Sequence, residues 1–151
     1  MLQDRVVRGF LAGLAGGIVM NLYSFALLKL NWTEMPFYKW TAIIILGKED
    51  VGGAIAIVLG VLGHLIFTSL IGIGFSYLIP HMQSRYLLFK GWIYAISIWF
   101  IIYGLSLLFK VQGIIPILPK TAIANFFGAS LYGLVTAFVS AKLEEKSVLK
   151  N

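Results

Sequence analysis

Four long apolar segments dominate the chain, at about residues 6–29, 51–79, 86–109 and 121–141, and none of them contains an Asp or Glu. A hydrocarbon core of about 30 Å is spanned by roughly 20 apolar helical residues. The pattern therefore predicts an all-α fold, a polytopic membrane protein whose four-transmembrane-helix bundle is a single domain over residues 1–151.

The breaks between these segments carry the helix-stopping residues. All four prolines lie there, at Pro36, Pro80, Pro116 and Pro119. Proline interrupts a helix because it lacks the backbone N–H and clashes with the preceding turn. The connection from Pro80 to Arg85 is so short that it predicts the second and third spans to be antiparallel neighbours.

The first loop is unusually aromatic. Pro36 is a plausible helix start and Gly47 a stop, so residues 36–46 form a helix too short to span the membrane. We expect a short interfacial or re-entrant helix in this first outer loop. The alternative is an aromatic belt that only anchors the bundle. The aromatic residues are Trp32, Phe37, Tyr38 and Trp40.

Composition agrees with the membrane assignment. The chain is 60% hydrophobic and only 12% charged, with a mean hydropathy of +0.92, against about 25% charged residues in soluble proteins. The complete absence of cysteine excludes disulfides, thiolate metal sites and iron–sulfur clusters. We predict no metal site and no cofactor.

Basic residues lie at the ends of the apolar runs. The formal net charge is +6, but this placement is typical of membrane anchors and not of nucleic-acid binding. Seven basic residues fall on the side of the N-terminus and five on the other, and all three arginines are among the seven. We therefore expect a cell (inner) membrane protein, multi-pass, with both termini cytoplasmic. The seven are Arg5, Arg8, Arg85, Lys90, Lys142, Lys146 and Lys150.

Small residues recur at helical spacing. Gly9, Gly13 and Gly17 form a doubled GxxxG pattern on one face of the first span, where another backbone can approach closely. The partner is either a helix of the same chain, which we favour, or a second copy in a homo-oligomer. Further packing positions are Gly60, Gly63 and Gly133.

The two halves of the chain resemble each other in sequence. Arg8-Gly9 opens the first span as Lys90-Gly91 opens the third, and the second span's His64-x4-Ser69 is paralleled by Asn125-x4-Ser130 in the fourth. These matches lead to the hypothesis of two repeated helical hairpins in parallel orientation.

His64 is the most informative polar residue. An ionisable side chain inside a membrane usually faces protein or water. One interpretation is a neutral histidine bonded to Asn21 or to a serine of another helix; the other is a polar midplane site that binds a ligand or lines a pore. The candidate lining residues are His64, Asn21, Thr68, Asn125, Ser130 and Tyr132.

An enzymatic alternative uses the same residues. Gly128-Ala129-Ser130 resembles the surroundings of a nucleophilic serine, and His64 could act as its base in an intramembrane serine hydrolase if the two lay within hydrogen-bonding distance. No acidic residue in a span is present to couple transport to protons or sodium.

The pattern His64-Leu-Ile-Phe67-x4-Gly72, with the Lys90-Gly91 start of the third span and a polar residue before Phe127-Gly128, resembles the YagU-like and YqhR-like bacterial inner-membrane proteins. The resemblance implies four helices and a bacterial inner membrane, and it implies no mechanism. The chain departs from the pattern at Asn125, where a second histidine is expected. We therefore expect a non-enzymatic protein, either a structural or assembly partner or a helical bundle that binds lipid or a small solute, with membrane lipids as partners and no nucleic acid.

Overall fold

The computed structural model describes residues 3–49, 51–82 and 85–148. Gln83 and Ser84 of the predicted loop and the basic residue Lys150 lie outside the described residues. Within them the structure is helical, with no β-strand. The helices are α1 (Arg5–Lys29), α2 (Phe37–Leu46), α3 (Ala54–Leu78), a 3-10 turn (Ile79–His81), α4 (Leu87–Leu108) and α5 (Pro119–Val148).

The prediction of an all-α bundle with four membrane-length helices is confirmed. Within the described part of the chain, α1, α3, α4 and α5 are long and apolar enough to cross a membrane. The largest difference in bounds is at α5, which continues beyond residue 141 to Val148. Its last turns stay helical in polar sequence, where Lys142 and Glu145 form an exposed ion pair of 3.1 Å.

Helix α1 lies at the centre of the packing. It contacts α3 on one side and α5 on the other, while α4 packs on α5 and α2 packs on α3. Helices α3 and α4, expected as antiparallel neighbours, contact each other through side chains, but their backbones approach each other at few positions. The Tyr94 hydroxyl bridges the two helices by donating to the carbonyl of Ile71 at 2.9 Å.

Close glycine contacts hold each hairpin together. A Cβ on Gly9 would lie 2.8 Å from the Gly72 carbonyl oxygen, so α1 and α3 approach with backbone against backbone. Gly91 of α4 and Gly133 of α5 meet in the same way. Glycines at matching positions thus make matching contacts, which supports the repeated-hairpin hypothesis.

The glycines of α3 hold the short helix. A Cβ on Gly63 would lie 2.6 Å from the Ile45 side chain, and Gly60 faces the backbone of Tyr38. Gly63 is nine residues along α3 from Ala54, so α2 extends about 14 Å down its side at about 1.5 Å per residue. Helix α2 therefore lies against the side of α3 over this length, and its Trp40 is buried within the protein and not part of an exposed belt.

Candidate ligand-binding cavity

The separation of α3 from α4 leaves a cavity of about 540 Å³. Helix α2 covers its outer end, that is, the end away from the N-terminus, and α1 and α5 form its back. Among the described residues, no Asp, Glu, Lys or Arg lines it. The lining includes Met20, Phe37, Trp40, Gly63, His64, Phe67, Thr68, Ile98, Trp99, Tyr103, Asn125, Ala129 and Tyr132.

His64 lies on the α3 wall of this cavity and is 6% exposed. The Asn21 amide nitrogen is 2.8 Å from His64 Nδ1 and also donates to the Gly17 carbonyl at 3.0 Å. A backbone carbonyl only accepts, so the nitrogen end of the amide points this way and donates to Nδ1. The proton of the neutral imidazole is then on Nε2, which makes no hydrogen bond within the described residues.

A second polar pair lies on the opposite wall. The Asn125 amide donates to the Tyr103 hydroxyl at 2.9 Å, and both residues line the cavity. Because the Tyr103 oxygen is the acceptor in this bond, its own proton is available for another partner. Within the described residues it donates to none.

The two pairs occupy equivalent places in the proposed repeats. Asn21 follows Gly9 by twelve positions as Tyr103 follows Gly91, and His64 precedes Gly72 by eight positions as Asn125 precedes Gly133. Sequence reasoning matched His64 with Asn125 but missed Tyr103. The spacing from the glycine that opens each hairpin is the signal that could have identified it.

Helix α2 supports both pairs with aromatic rings. Phe37 stacks on His64 with ring centroids 5.3 Å apart, and Trp40 stacks on Tyr103 at 5.1 Å. The two α2 residues are three positions apart, hence on one face of the helix. One short helix therefore holds the imidazole and the phenol ring in place.

Several buried polar atoms around the cavity have no completed hydrogen bond within the described chain. They are Asn21 Oδ1, Trp40 Nε1 and Trp99 Nε1, the last of which approaches the Tyr103 hydroxyl without good geometry. An unsatisfied buried group costs about 1–3 kcal/mol, so native proteins keep few of them. Two further such atoms, Thr136 Oγ1 and Ser140 Oγ, belong to α5 residues outside the cavity lining. The three beside the cavity, together with its volume, make it the functional candidate.

Thr68 and Tyr132 also line the cavity, at the end toward the N-terminal side of the bundle. The Tyr132 hydroxyl donates to the Thr68 carbonyl at 2.7 Å, and the Thr68 hydroxyl donates to the carbonyl of Leu65 at 3.0 Å. The first bond joins α5 to α3 across the bundle, and the second lies within α3. The two residues thus close one end of the cavity and their hydroxyl protons are already used.

Ser130 does not join this group. Its hydroxyl accepts from Trp92 Nε1 and donates to the Phe126 carbonyl, both at 3.0 Å, and it does not line the cavity. The hydroxyl proton that a base would remove is therefore bonded within α5, and His64 is bonded to Asn21. This geometry does not support the serine hydrolase alternative.

No family model, curated protein or solved structure matches the chain. The resemblance to the YagU-like and YqhR-like proteins therefore stays a prediction.

Proposed function

We propose that this protein is a non-enzymatic membrane protein that binds a neutral, largely apolar molecule from the bilayer in the cavity between α3 and α4. The observation that supports this proposal is a nearly apolar cavity of about 540 Å³ whose described lining has few polar groups and no Asp, Glu, Lys or Arg. Ligand sites in proteins are typically about 300–1,000 Å³ with few polar groups in an apolar lining. Such a lining disfavours an ion path.

The ligand reaches the cavity sideways from the lipid. Phe67 on α3 and Leu105 on α4 line the cavity and are about half exposed, so the cavity is open between the two helices. Because lipid tails are as apolar as the lining, burial of an apolar tail gains little free energy there. Selectivity must come from the hydrogen-bonding groups.

We propose the cell (inner) membrane with both termini cytoplasmic. Arg8 contacts Ser147 near the C-terminus, with 3.4 Å between guanidinium and hydroxyl, so the two chain ends share a side. The arginine bias toward that side supports a cytoplasmic assignment.

Membrane lipids are the proposed partners. Gly9, Gly13 and Gly17 are used within the chain against α3, so a homo-oligomer through these glycines would compete with the fold. A structural or assembly role is the second candidate. It is favoured by α4, which has the smallest buried fraction of the four long helices and offers its outer face to another helix.

Photolabelling with a diazirine-bearing hydrocarbon in vesicles tests the proposal. Ala129 and Ala137 of α5 are both shielded from lipid, but only Ala129 lines the cavity. We expect carbene insertion at Ala129 and not at Ala137, mapped by mass spectrometry.

A matched pair of variants on α4 completes the test. Ile98 lines the cavity whereas Ile101 is an exposed residue outside it. Ile98→Trp should abolish labelling of Ala129, and Ile101→Trp should leave it unchanged. Equal labelling of the two alanines, or the same labelling in both variants, contradicts a ligand cavity and favours the structural role.

A further inference from the structure

We propose that the ligand is a flat, neutral ring compound with acceptor oxygens at two opposite positions, the chemistry of a lipid-soluble quinone. This inference rests on the proposed function and specifies its ligand. It follows from the number, type and placement of the hydrogen-bonding groups that are left over after the protein's own bonds are counted.

Apart from the indole N–H groups of Trp40 and Trp99, which are buried in the protein, two donors are left over, one on each wall. The His64 imidazole uses Nδ1 to accept from Asn21 and keeps the Nε2 proton. The Tyr103 hydroxyl accepts from Asn125 and keeps its own proton. A partner for both must offer acceptors, and carbonyl oxygens accept without needing an acceptor in return.

The charge of the cavity excludes anionic acceptors. Carboxylates and phosphates are typically bound in proteins by Arg, Lys or a helix N-terminus, and no Arg or Lys of the described residues lines the cavity. An anion inside a membrane without a counter-charge is strongly disfavoured. Uncharged carbonyl groups meet the same two donors without this penalty.

The shape of the lining favours a ring. His64 and Tyr103 are flat groups held by stacking on Phe37 and Trp40, and Trp99 and Phe67 add further aromatic surface. Aromatic faces prefer offset stacking with other flat systems. An acyl chain alone would use neither the rings nor the donors.

The repeated hairpins explain the two-ended site. Each hairpin contributes one polar pair at the matching position. His64, Tyr103 and Asn125 line the cavity between α3 and α4, whereas Asn21 is not part of the lining and contacts His64 from α1. A ligand with equivalent groups at opposite ends fits such a pseudo-symmetric arrangement. The first half supplies the imidazole donor and the second the phenol donor.

Binding of a decyl-substituted benzoquinone to the purified full chain in nanodiscs tests this, with decylbenzene as the probe that lacks carbonyls. We expect tighter binding of the quinone. Tyr103→Phe and His64→Leu should each weaken quinone binding about tenfold, the effect of roughly one hydrogen bond, and leave decylbenzene binding unchanged. Tyr94→Phe is the matched control, since that hydroxyl is bonded to Ile71 and lies outside the cavity.

Infrared spectra of the bound probe provide a readout that does not depend on variant stability. In the native protein the quinone carbonyl stretch should shift to lower frequency than in protein-free nanodiscs. An unshifted carbonyl band, or equal binding of both probes, overturns the quinone assignment while the apolar cavity stands. If neither probe reduces the hydrocarbon labelling of Ala129, the quinone assignment is overturned too. If Ala129 is not labelled at all, the proposed function itself is rejected.

Discussion

Asn21 donates a 2.8 Å hydrogen bond from its amide to Nδ1 of His64, and this bond determines which imidazole nitrogen keeps the proton. The amide is itself oriented by the carbonyl of Gly17, one turn earlier on α1. The Gly17 carbonyl therefore orients the Asn21 amide, and the amide in turn leaves the Nε2–H of His64 as the donor that faces the cavity.

The first prediction concerns the protonation of the two histidines. In alkaline buffer, ¹⁵N NMR should show His64 with its proton on Nε2, whereas His81, whose Nδ1 is 3.1 Å from the Tyr77 carbonyl, should carry it on Nδ1. Asn21→Ala should shift His64 toward a mixture and leave His81 unchanged. His64 with its proton on Nδ1 in the native protein would contradict the hydrogen-bond assignment.

The second prediction concerns the contact between α1 and α3. A Cβ on Gly13 would lie 2.9 Å from the Cα atoms of Ser69 and Gly72, so Gly13→Ala must push two backbones apart. We expect a loss of about 1–3 kcal/mol in unfolding free energy, measured by reversible unfolding in mixed micelles. Gly104→Ala, where a Cβ meets nothing within 4 Å, is the control and should be neutral or stabilising. Equal losses in the two variants would mean that the close contact is absent.

The third prediction concerns the turn after α3. Lys90 donates to the carbonyl of Met82 at 2.7 Å and to that of Ile79 at 3.5 Å, and it is 7% exposed. Lys90→Met should lower the unfolding free energy by about 1.5–3 kcal/mol, the range for a hydrogen bond to a charged group. The exposed lysine Lys142 has only a surface ion pair with Glu145, so Lys142→Met should change stability by less than about 1 kcal/mol. Similar values for the two lysines would argue against a structural role for Lys90.

The fourth prediction concerns topology and uses the absence of cysteine from the chain. Single cysteines at His81 and Lys146 should react with a membrane-impermeant maleimide from the cytoplasmic side only. Cysteines at Lys48 and Gln112 should react only from the opposite side. Labelling of His81 and Lys146 from opposite faces would exclude an even number of spans between them.

The membrane fold could be predicted from local pattern alone. Length and apolarity of a segment determine whether it can span a bilayer, because the backbone must satisfy its hydrogen bonds within the segment. The spans, and the short helix at residues 36–46, therefore agree with the structure to within a few residues, except at the end of α5. There the helix continues through polar residues after residue 141, and the length of the apolar segment does not predict this extension.

The sequence also identified polar residues of the site and one of the two pairings, that of His64 with Asn21, but not the pairing of Asn125 with Tyr103. His64 and Asn125 stand out because polar groups are rare in membrane helices. The partner Tyr103 does not, since tyrosine occurs commonly in apolar sequence. Tyr132 lines the cavity and Ser130 does not, although the two are only two residues apart on α5. Which of them faces the cavity depends on how α5 is rotated about its axis.

Only the tertiary structure decided that α3 and α4 stand apart. Glycines bring α1 close to α3 and α4 close to α5, whereas the short connection after α3 predicted only that α3 and α4 are neighbours and not how closely they pack. Bulky Ile98 and Trp99 line the space on α4 instead, and α2 fills part of it from the side. Interhelical distance depends on which faces meet, and this is a property of the whole packing that no single segment of sequence contains.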